Sequence, residues 1–128
     1  MKKKFFVFKI LFPATFTFLF GLPAYSQNTF TSHLNIEYAN IDGFSLRPDI
    51  YTPDGQTAPT PLIIWIHGGG WQDGNRSLAP NGVQLRQARR GYAVASLSYR
   101  LSGRAKFPAQ IHDEKNGHSL ASFKCHNL

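Results

Sequence analysis

The chain has 128 residues and a formal net charge of +7, from 14 basic and 7 acidic residues. Four of the basic residues lie within the first nine positions, and no basic run is interleaved with aromatic residues, so a nucleic-acid-binding protein is excluded. The single cysteine, Cys125, excludes an internal disulfide, and the five histidines lack zinc-ligand spacing, so neither a metal nor another cofactor is expected.

The N-terminal segment has the features of an export signal. A short basic start precedes the apolar, Phe-rich run Phe5–Phe20, and Ala24-Tyr25-Ser26 then places small residues at the two positions that a signal peptidase reads. These features predict cleavage before Gln27, so residues 1–26 are expected to be a signal peptide and the rest to be secreted or periplasmic. An uncleaved membrane anchor is the alternative, but Lys9 interrupts a run already short for a span of roughly 20 residues.

The first part of the predicted domain has the pattern of two antiparallel strands. Residues Phe30–Tyr38 alternate loosely between apolar and polar, which predicts a half-buried strand. A turn is predicted over 40–43, followed by an antiparallel partner strand over Phe44–Tyr51. Pro48 removes a ladder hydrogen bond, so the second strand is expected at an edge or a bulge.

The stretch 61–73 carries the strongest signal in the sequence. Leu62–Ile66 is a continuous apolar run between a proline and three glycines, which predicts a strand buried on both faces at the centre of a parallel sheet. His67-Gly68-Gly69-Gly70 follows directly, and glycines let backbone N–H groups approach a ligand atom closely. A strand that ends in bare amides indicates an anion-binding site.

A helix and a second apolar strand come next. The helix is expected from Pro80 or Asn81 to Arg90, with Gly91 as its C-terminal cap. Its apolar face is predicted to consist of Leu78, Leu85 and Ala88, and its three arginines to form a solvated end. Tyr92–Leu97 is rich in strand-forming residues, so with Leu62–Ile66 it completes a βαβ unit of parallel strands.

His67-Gly68-Gly69-Gly70 after an apolar strand resembles the His-Gly-Gly-Gly motif of the esterase and lipase branch of the α/β-hydrolase fold, which includes carboxylesterases and acyl esterases. The resemblance implies that the amides of Gly69 and Gly70 form part of an oxyanion hole. His67 and Gly68 would then set the geometry of the loop. Trp71 either borders the acyl pocket or closes the core as a packed aromatic residue.

The same resemblance extends along most of the chain. Asp49-Ile50-Tyr51-Thr52-Pro53 is similar to a strand ending of this branch in which the aspartate is structural. Ser98–Leu101 and Phe107–Asp113 resemble the segment that leads into a long helix before the nucleophile strand, and Pro108 suits the first turn of that helix. The expected fold is therefore the N-terminal portion of an α/β-hydrolase sheet over residues 27–113, an antiparallel hairpin followed by a parallel βαβ unit.

Residues 114–128 lack a clear apolar period, so the helix begun at Pro108 is not expected to continue through them. Gly117-His118-Ser119-Leu120-Ala121 imitates the nucleophile elbow Gly-x-Ser-x-Gly, but no strand precedes it. Ser119 is therefore not expected to be a nucleophile, and no nucleophile, acid or base is predicted in this chain. A forward shift in the reading frame near Asn116 would explain a tail that departs from the family pattern.

Three functional hypotheses follow. The first is the N-terminal part of an exported serine ester hydrolase, inactive as written, whose intact form acts on a small-molecule or polysaccharide-linked ester. The second is a short exported binding or interaction module without catalysis, and the third is a related amidase or peptidase. No nucleic-acid partner and no stable membrane anchor after cleavage are expected. Without a further strand, Leu62–Ile66 would be an exposed edge that invites aggregation.

Overall fold

The computed structural model describes residues 29–127, so the predicted signal peptide lies outside the described residues. The strands are β1 (Phe30–His33), β2 (Ala39–Ile41), β3 (Phe44–Leu46), β4 (Pro48–Pro53), β5 (Leu62–Ile66) and β6 (Ala93–Leu97). The helices are α1 (Val83–Ala88) and α2 (Ala109–Asn127). Within this part of the chain, no helix is both long enough and apolar enough to span a membrane.

The main sheet has the strand order β1-β4-β6-β5. β4 is antiparallel to both β1 and β6, whereas β5 and β6 are parallel and are joined through α1. This mixed sheet confirms the predicted fold class, antiparallel strands followed by a parallel βαβ unit.

The predicted strand Phe30–Tyr38 is wrong in its length. β1 ends at His33, because Asn35 adopts a left-handed conformation with φ of 58° and its N–H donates to Asp49 Oδ1 over 2.8 Å. Asp49 is nearly buried and also lies 3.0 Å from Arg76 Nε, so its role is structural, as predicted. β2 and β3 then form a separate hairpin around the predicted turn.

The second predicted strand, Phe44–Tyr51, is divided between β3 and β4. β4 is an interior strand and not an edge, since β1 lies on one side of it and β6 on the other. Pro48 is accommodated because it is the first residue of β4, where it pairs with Leu97.

Among residues 29–127, β5 lies at the edge of the sheet, so within them it is not the central strand buried on both faces that its apolar run predicts. The central parallel strand is β6, whose five residues are all buried. With β6 on one side only, β5 leaves Trp65 37% and Ile66 43% exposed. The predicted exposed edge is therefore present within residues 29–127.

Two apolar clusters cover the faces of the sheet. The cluster on the α1 side consists of Tyr51, Leu85, Ala88 and Val94, with Ile63 and Leu78 packed against it. The cluster on the α2 side consists of Ile50, Ala95, Leu97 and Ala121, with Leu62 and Ile64 packed against it. α1 is shorter than predicted: Leu85 and Ala88 form its buried face as predicted, whereas Leu78 packs against the same cluster from the segment before the helix. Gly91 follows α1 with φ of 95°, and its N–H donates to Ala88 O.

α2 continues through the tail to Asn127, so the prediction that this helix stops near Asp113 is wrong. Along α2, buried residues recur at every fourth position, at Asp113, Gly117 and Ala121. A Cβ on Gly117 would come within 3.1 Å of Leu97 Cδ1 and 3.3 Å of Tyr38 Cζ. The helix therefore approaches the sheet closely through small residues, which an apolar pattern does not detect.

Candidate functional site

The candidate site is the loop that follows β5, residues 67–74, named here the glycine loop. Its backbone turns sharply because three consecutive residues have positive φ, with values of 118° at Gly69, 60° at Gly70 and 62° at Trp71. The N–H groups of Gln72 and Asp73 both donate to Gly69 O, over 3.0 and 3.2 Å. These two bonds close the loop directly beyond the carboxyl end of a parallel strand, where open α/β sheets place their ligands.

Two glycines are required by space as well as by conformation. A Cβ at Gly69 would lie 2.0 Å from Asp73 O, and a Cβ at Gly74 would lie 2.4 Å from both Gly68 O and His67 Nδ1. Neither position can therefore hold a side chain without moving backbone. Gly74 was not identified from the sequence. The only signal for it is one more glycine, four residues after the triplet.

The amides of Gly69 and Gly70 donate to no acceptor among the described residues, and both glycines are exposed. Loop closure uses the carbonyl of Gly69, so it leaves the two N–H groups available. Two adjacent unpaired N–H groups at a strand end are able to donate hydrogen bonds to a negatively charged or strongly polarised oxygen.

His67 packs beneath the loop and does not face solvent. Only 8% of the residue is exposed, and its ring stacks on Tyr99 with centroids 4.3 Å apart and planes 11° apart. Its Nδ1 lies 2.9 Å from Gly68 O, and the Tyr99 hydroxyl donates to His67 O over 2.9 Å. Tyr99 therefore holds both the ring and the carbonyl of the residue that begins the loop. Sequence reasoning placed Tyr99 in a family segment without assigning it this role.

A buried ion pair fixes the segment that carries Tyr99. Arg100 donates to Asp113 through Nε to Oδ2 over 2.9 Å and through Nη2 to Oδ1 over 2.8 Å, and its backbone N–H donates to Oδ2 over 3.0 Å. Asp113 is fully buried, and its hydrogen bonds raise the pKa of Arg100. Gln110 Nε2 donates to Arg100 O and Ala105 O, over 3.0 and 2.7 Å. The first turns of α2 thus hold the end of β6 in place.

Tyr38 joins the hairpin region to the same network. Its hydroxyl lies 2.8 Å from Ser98 O and 3.0 Å from Asp113 O, as donor to both. Burial, and next the charge of Asp113, raise the pKa of Tyr38, so the hydroxyl keeps its proton as a donor. Ser98 donates its Oγ–H to Arg47 O and accepts the N–H of Arg47, each over 2.8 Å. Every residue from 98 to 100 is therefore held by side-chain hydrogen bonds.

Trp71 is 46% exposed beside the loop, so the alternative that it closes the core is wrong. Its ring lies 6.3 Å from that of Phe107, which is 69% exposed, and its carbonyl accepts the N–H of Ser102 over 2.8 Å. These contacts hold an aromatic surface next to the free amides. Whether it borders an acyl pocket stays a prediction.

Ser119 lies inside α2, and its Oγ–H donates to Lys115 O over 3.0 Å. It is not on a turn between a strand and a helix, the conformation that a nucleophile elbow needs. The Gly-x-Ser-x-Ala segment is therefore a stretch of helix, and its first residue, Gly117, is a packing residue against Leu97.

Two concave surfaces accompany the sheet. One, named here the edge groove, has a volume of about 350 Å³ and lies between β5 and α2; it is lined by Ile64, Ile66, Ile111, Glu114, Lys115 and His118, among others. The other, about 540 Å³, lies at the opposite end of the strands from the glycine loop and is bordered by residues 52–60 and Cys125. It is the larger of the two, but it shares no residue with the glycine loop.

The family model described as BD-FAE matches residues 48–119, which include β5, the glycine loop, β6 and the start of α2. Among curated proteins, the esterase LipC of Mycobacterium tuberculosis is 34% identical over 62 residues, 48% of this chain and 15% of LipC.

Solved structures give the same result for the fold. A truncated form of a carbohydrate esterase from gut microbiota matches with 30% identity and a TM-score of 0.60, over 82% of this chain and 37% of that one. Esterase B from Lactobacillus rhamnosis matches with 29% identity and a TM-score of 0.62, over 78% of this chain and 32% of that one. The chain thus spans about a third of the length of these two structures, and they confirm its resemblance to α/β-hydrolase esterases.

Proposed function

Because this chain belongs to the BD-FAE family, we propose that it is the N-terminal part of an exported serine carboxylic-ester hydrolase and supplies the oxyanion-binding loop of that enzyme. The observation that carries the proposal is the pair of unpaired amides at Gly69 and Gly70, held beyond the end of β5. The proposed substrate is an ester, either of a small molecule or attached to a polysaccharide. The similarity to a carbohydrate esterase supports the polysaccharide class.

In the proposed reaction, a serine oxygen attacks the carbonyl carbon of the ester and forms a tetrahedral intermediate. The carbonyl oxygen becomes negative and accepts hydrogen bonds from the Gly69 and Gly70 amides. Their positions are fixed beforehand by the backbone turn and by the packing of His67 on Tyr99. Donors that are already oriented need no reorganisation as the charge appears, and one such donor contributes roughly 10²–10³ in rate.

We further propose that the chain does not hydrolyse esters as written. Ser119 is held in α2 with its hydroxyl bonded to Lys115, and His67 is buried with its ring against Tyr99. Neither forms the pairing of nucleophile and base that the reaction needs. The nucleophile, acid and base would belong to a part of the fold that the much longer structural relatives contain in addition.

Sequencing of the gene tests whether the nucleophile, acid and base are encoded after the residues of this chain. The region to sequence runs from the codon of Phe107 to several hundred bases beyond that of Leu128, with all forward frames translated. A frame that continues into a Gly-x-Ser-x-Gly strand, an acid and a histidine would support a hydrolase interrupted by a frameshift. If no frame continues the fold, the esterase proposal fails for this locus, and a non-catalytic module takes its place.

Two measurements on the chain itself test the site. Hydrolysis of p-nitrophenyl acetate is expected to stay at the rate of the heat-denatured chain, and turnover that disappears in Ser119→Ala would contradict the proposed inactivity. In an NMR titration with acetate, the amide signals of Gly69 and Gly70 are expected to shift. The signal of Gly55, an exposed glycine in a distant turn, is the control and should not shift. Equal shifts at all three would contradict an anion site at the glycine loop.

Export is proposed from the sequence of residues 1–26. Expression with the native N-terminus in a bacterial host is expected to deliver the chain outside the cytoplasm, beginning at Gln27 by N-terminal sequencing. A chain that begins at Met1 and stays with the membrane fraction would support the uncleaved anchor instead.

A further inference from the structure

The segment that leaves the glycine loop, residues 75–78, is named here the exit segment. It crosses the α1 side of the sheet where Asp49 of β4 and Ser96 of β6 lie side by side. The Ser96 hydroxyl donates to Arg76 O over 2.7 Å, and Asp49 Oδ2 lies 3.0 Å from Arg76 Nε. Leu78 then packs against the apolar cluster on the α1 side. The exit segment is therefore fastened to the sheet at two successive points.

The guanidinium of Arg76 is part of a closed ring of three residues. The side chains of Arg76 and Asp49 are only 24% and 12% exposed, so their ion pair is screened less than a surface pair is. Asp49 Oδ1 accepts the N–H of Asn35 over 2.8 Å, and Asn35 Oδ1 accepts a hydrogen bond from Arg76 Nη2. Each of the three residues thus contacts the other two, which fixes the position of the guanidinium.

The exit segment begins directly beside the backbone that carries the donor amides. The N–H of Asp73 donates to Gly69 O over 3.2 Å, and Asp73 Oδ1 accepts the N–H of Gly74 over 2.6 Å. Gly74 lies so close to Gly68 O and to the ring of His67 that it has no room for a Cβ. The end of the glycine loop therefore rests on its beginning. Movement at the exit would be transmitted to the donor amides.

We propose that Arg76 is a positioning residue for the amides of Gly69 and Gly70. This inference rests on the proposed function of the glycine loop as an oxyanion site. Arg76 acts through the backbone of residues 74–76, since its guanidinium faces Asp49 and Asn35. Arginine suits this role because it is always charged and its planar fork bonds two partners in a fixed geometry. Arg76 thus holds the end of the loop, as Tyr99 holds its first residue.

NMR relaxation of the full chain tests the proposal without a ligand. Arg76→Met removes the charge but keeps a long side chain, so the exit segment loses its ion pair with little change in volume. The order parameters of Gly69 and Gly70 are expected to fall from about 0.85 to below about 0.6, while those of β6 stay unchanged. Unchanged order parameters at both glycines in folded Arg76→Met would overturn the proposal.

Two further variants separate positioning from a general loss of stability. Arg47→Met is the matched control, because it removes an arginine whose ion pair with Glu37 is exposed, 3.7 Å long and remote from the exit segment. It should leave the order parameters of the glycine loop unchanged. Arg76→Lys keeps the charge beside Asp49 and should retain part of the order that Arg76→Met loses. Equal effects of Arg76→Met and Arg47→Met would overturn the proposal.

The acetate titration separates this inference from the proposed function. In Arg76→Met, the acetate-induced shifts of Gly69 and Gly70 should fall to about a tenth at the same acetate concentration, since displaced donors lose their geometry. If acetate shifts both amides equally in the variant and the unchanged chain, the role of Arg76 fails and the oxyanion site stands. If acetate shifts neither amide in the unchanged chain, the oxyanion site fails and the order parameters decide the role of Arg76.

Circular dichroism checks that each variant folds. If Arg76→Met does not fold, Asp49→Asn takes its place, because it removes the charge that holds Arg76 but keeps an oxygen for the N–H of Asn35. The order parameters of Gly69 and Gly70 should then fall as well. Unchanged values in Asp49→Asn would overturn the proposal by themselves.

Discussion

The two parallel strands β5 and β6 end side by side but are held in opposite ways. After β6, residues 98–100 form hydrogen bonds with three other parts of the chain, namely the hydroxyl of Tyr38, the backbone carbonyl of Arg47 and the buried carboxylate of Asp113. After β5, the turn is closed by its own backbone, and the amides of Gly69 and Gly70 remain unpaired within the described residues.

The end of β6 therefore supports the site, whereas the end of β5 is free to bind a ligand. A segment whose donors and acceptors are all satisfied is rigid but has nothing to offer a ligand. A segment shaped by glycine conformation keeps its donors available, but it needs a rigid neighbour to hold its position. Tyr99 connects the two, since it belongs to the fixed segment and contacts the ring and carbonyl of His67. Four substitutions test this division.

Removal of the buried carboxylate should have the largest effect. Asp113→Ala leaves the guanidinium of Arg100 without its partner in a site that is 14% exposed, and we expect a loss of about 3–5 kcal/mol in the free energy of unfolding. Urea denaturation measures it. The control is Glu37→Ala, which removes an exposed pair with Arg47 at 3.7 Å and should cost less than about 1 kcal/mol. Equal losses would mean that the buried pair does not support the end of β6.

A methyl group in the glycine loop should have the next largest effect. Gly69→Ala directs a Cβ against Asp73 O. We expect the free energy of unfolding to fall by about 3 kcal/mol, and the acetate-induced shifts of the loop amides to disappear. Gly55→Ala is the control, because Gly55 also has positive φ, 71°, but nothing within 4 Å of its Cβ. Its cost should be about 1 kcal/mol, from conformation alone. A retained acetate response in Gly69→Ala would contradict the proposed donors.

Loss of one hydroxyl tests the connection between the two strand ends. Tyr99→Phe keeps the stacked ring but removes the hydrogen bond to His67 O, so stability should fall by about 1 kcal/mol. Amide exchange at Gly69 and Gly70 should become faster, while exchange within β6 should not change. Tyr92→Phe, at an exposed position outside the network, is the matched control. Unchanged exchange in the glycine loop would show that Tyr99 does not position it.

The smallest effect should come from Glu114, which lines the edge groove. Burial raises the pKa of this carboxyl above 4.5, although His67 opposes the shift. The folded state therefore binds the proton of Glu114 more tightly than the unfolded state does. The contribution of Glu114 to folding stability is greatest at low pH and is lost as the pH rises through the folded pKa. At pH 7, Glu114→Gln should therefore be more stable than the unchanged chain, by less than about 1 kcal/mol because solvent screens a half-buried group.

At pH 4 the two proteins should be equally stable, because Glu114 is then largely protonated in both states. Glu37→Gln removes an exposed carboxyl and controls for the loss of one charge. A variant that is less stable than the unchanged chain at pH 7 would contradict the direction given for Glu114.

The sequence predicted the features that depend on local pattern. The parallel strands β5 and β6, the apolar face of α1 and the glycine turn follow from runs of apolar residues and from glycine. It missed features that depend on the rest of the fold. Whether β5 is central or at an edge depends on a neighbouring strand, and nothing within Leu62–Ile66 specifies one.

The tail shows a second limit of pattern analysis. Helix α2 presents Asp113, Gly117 and Ala121 to the sheet, and none of these has a large apolar side chain. Their spacing is helical, but a hydropathy pattern assigns no buried face to them. Asp113 is buried only because Arg100 lies opposite, and that partner is thirteen residues away in the sequence. The frameshift near Asn116 remains a prediction, and the helical packing beyond that point is a property of the residues present.

The close contact of α2 with the sheet has a consequence for the order in which the protein is made. All strands precede α2 in the sequence, so the α2 face of β6 is synthesised before the helix that covers it. At typical rates of synthesis, about one to five seconds separate Leu97 from Ala121. During that interval the growing chain carries an apolar surface without its cover, and a chaperone or export factor that binds then would meet the sheet and not the helix.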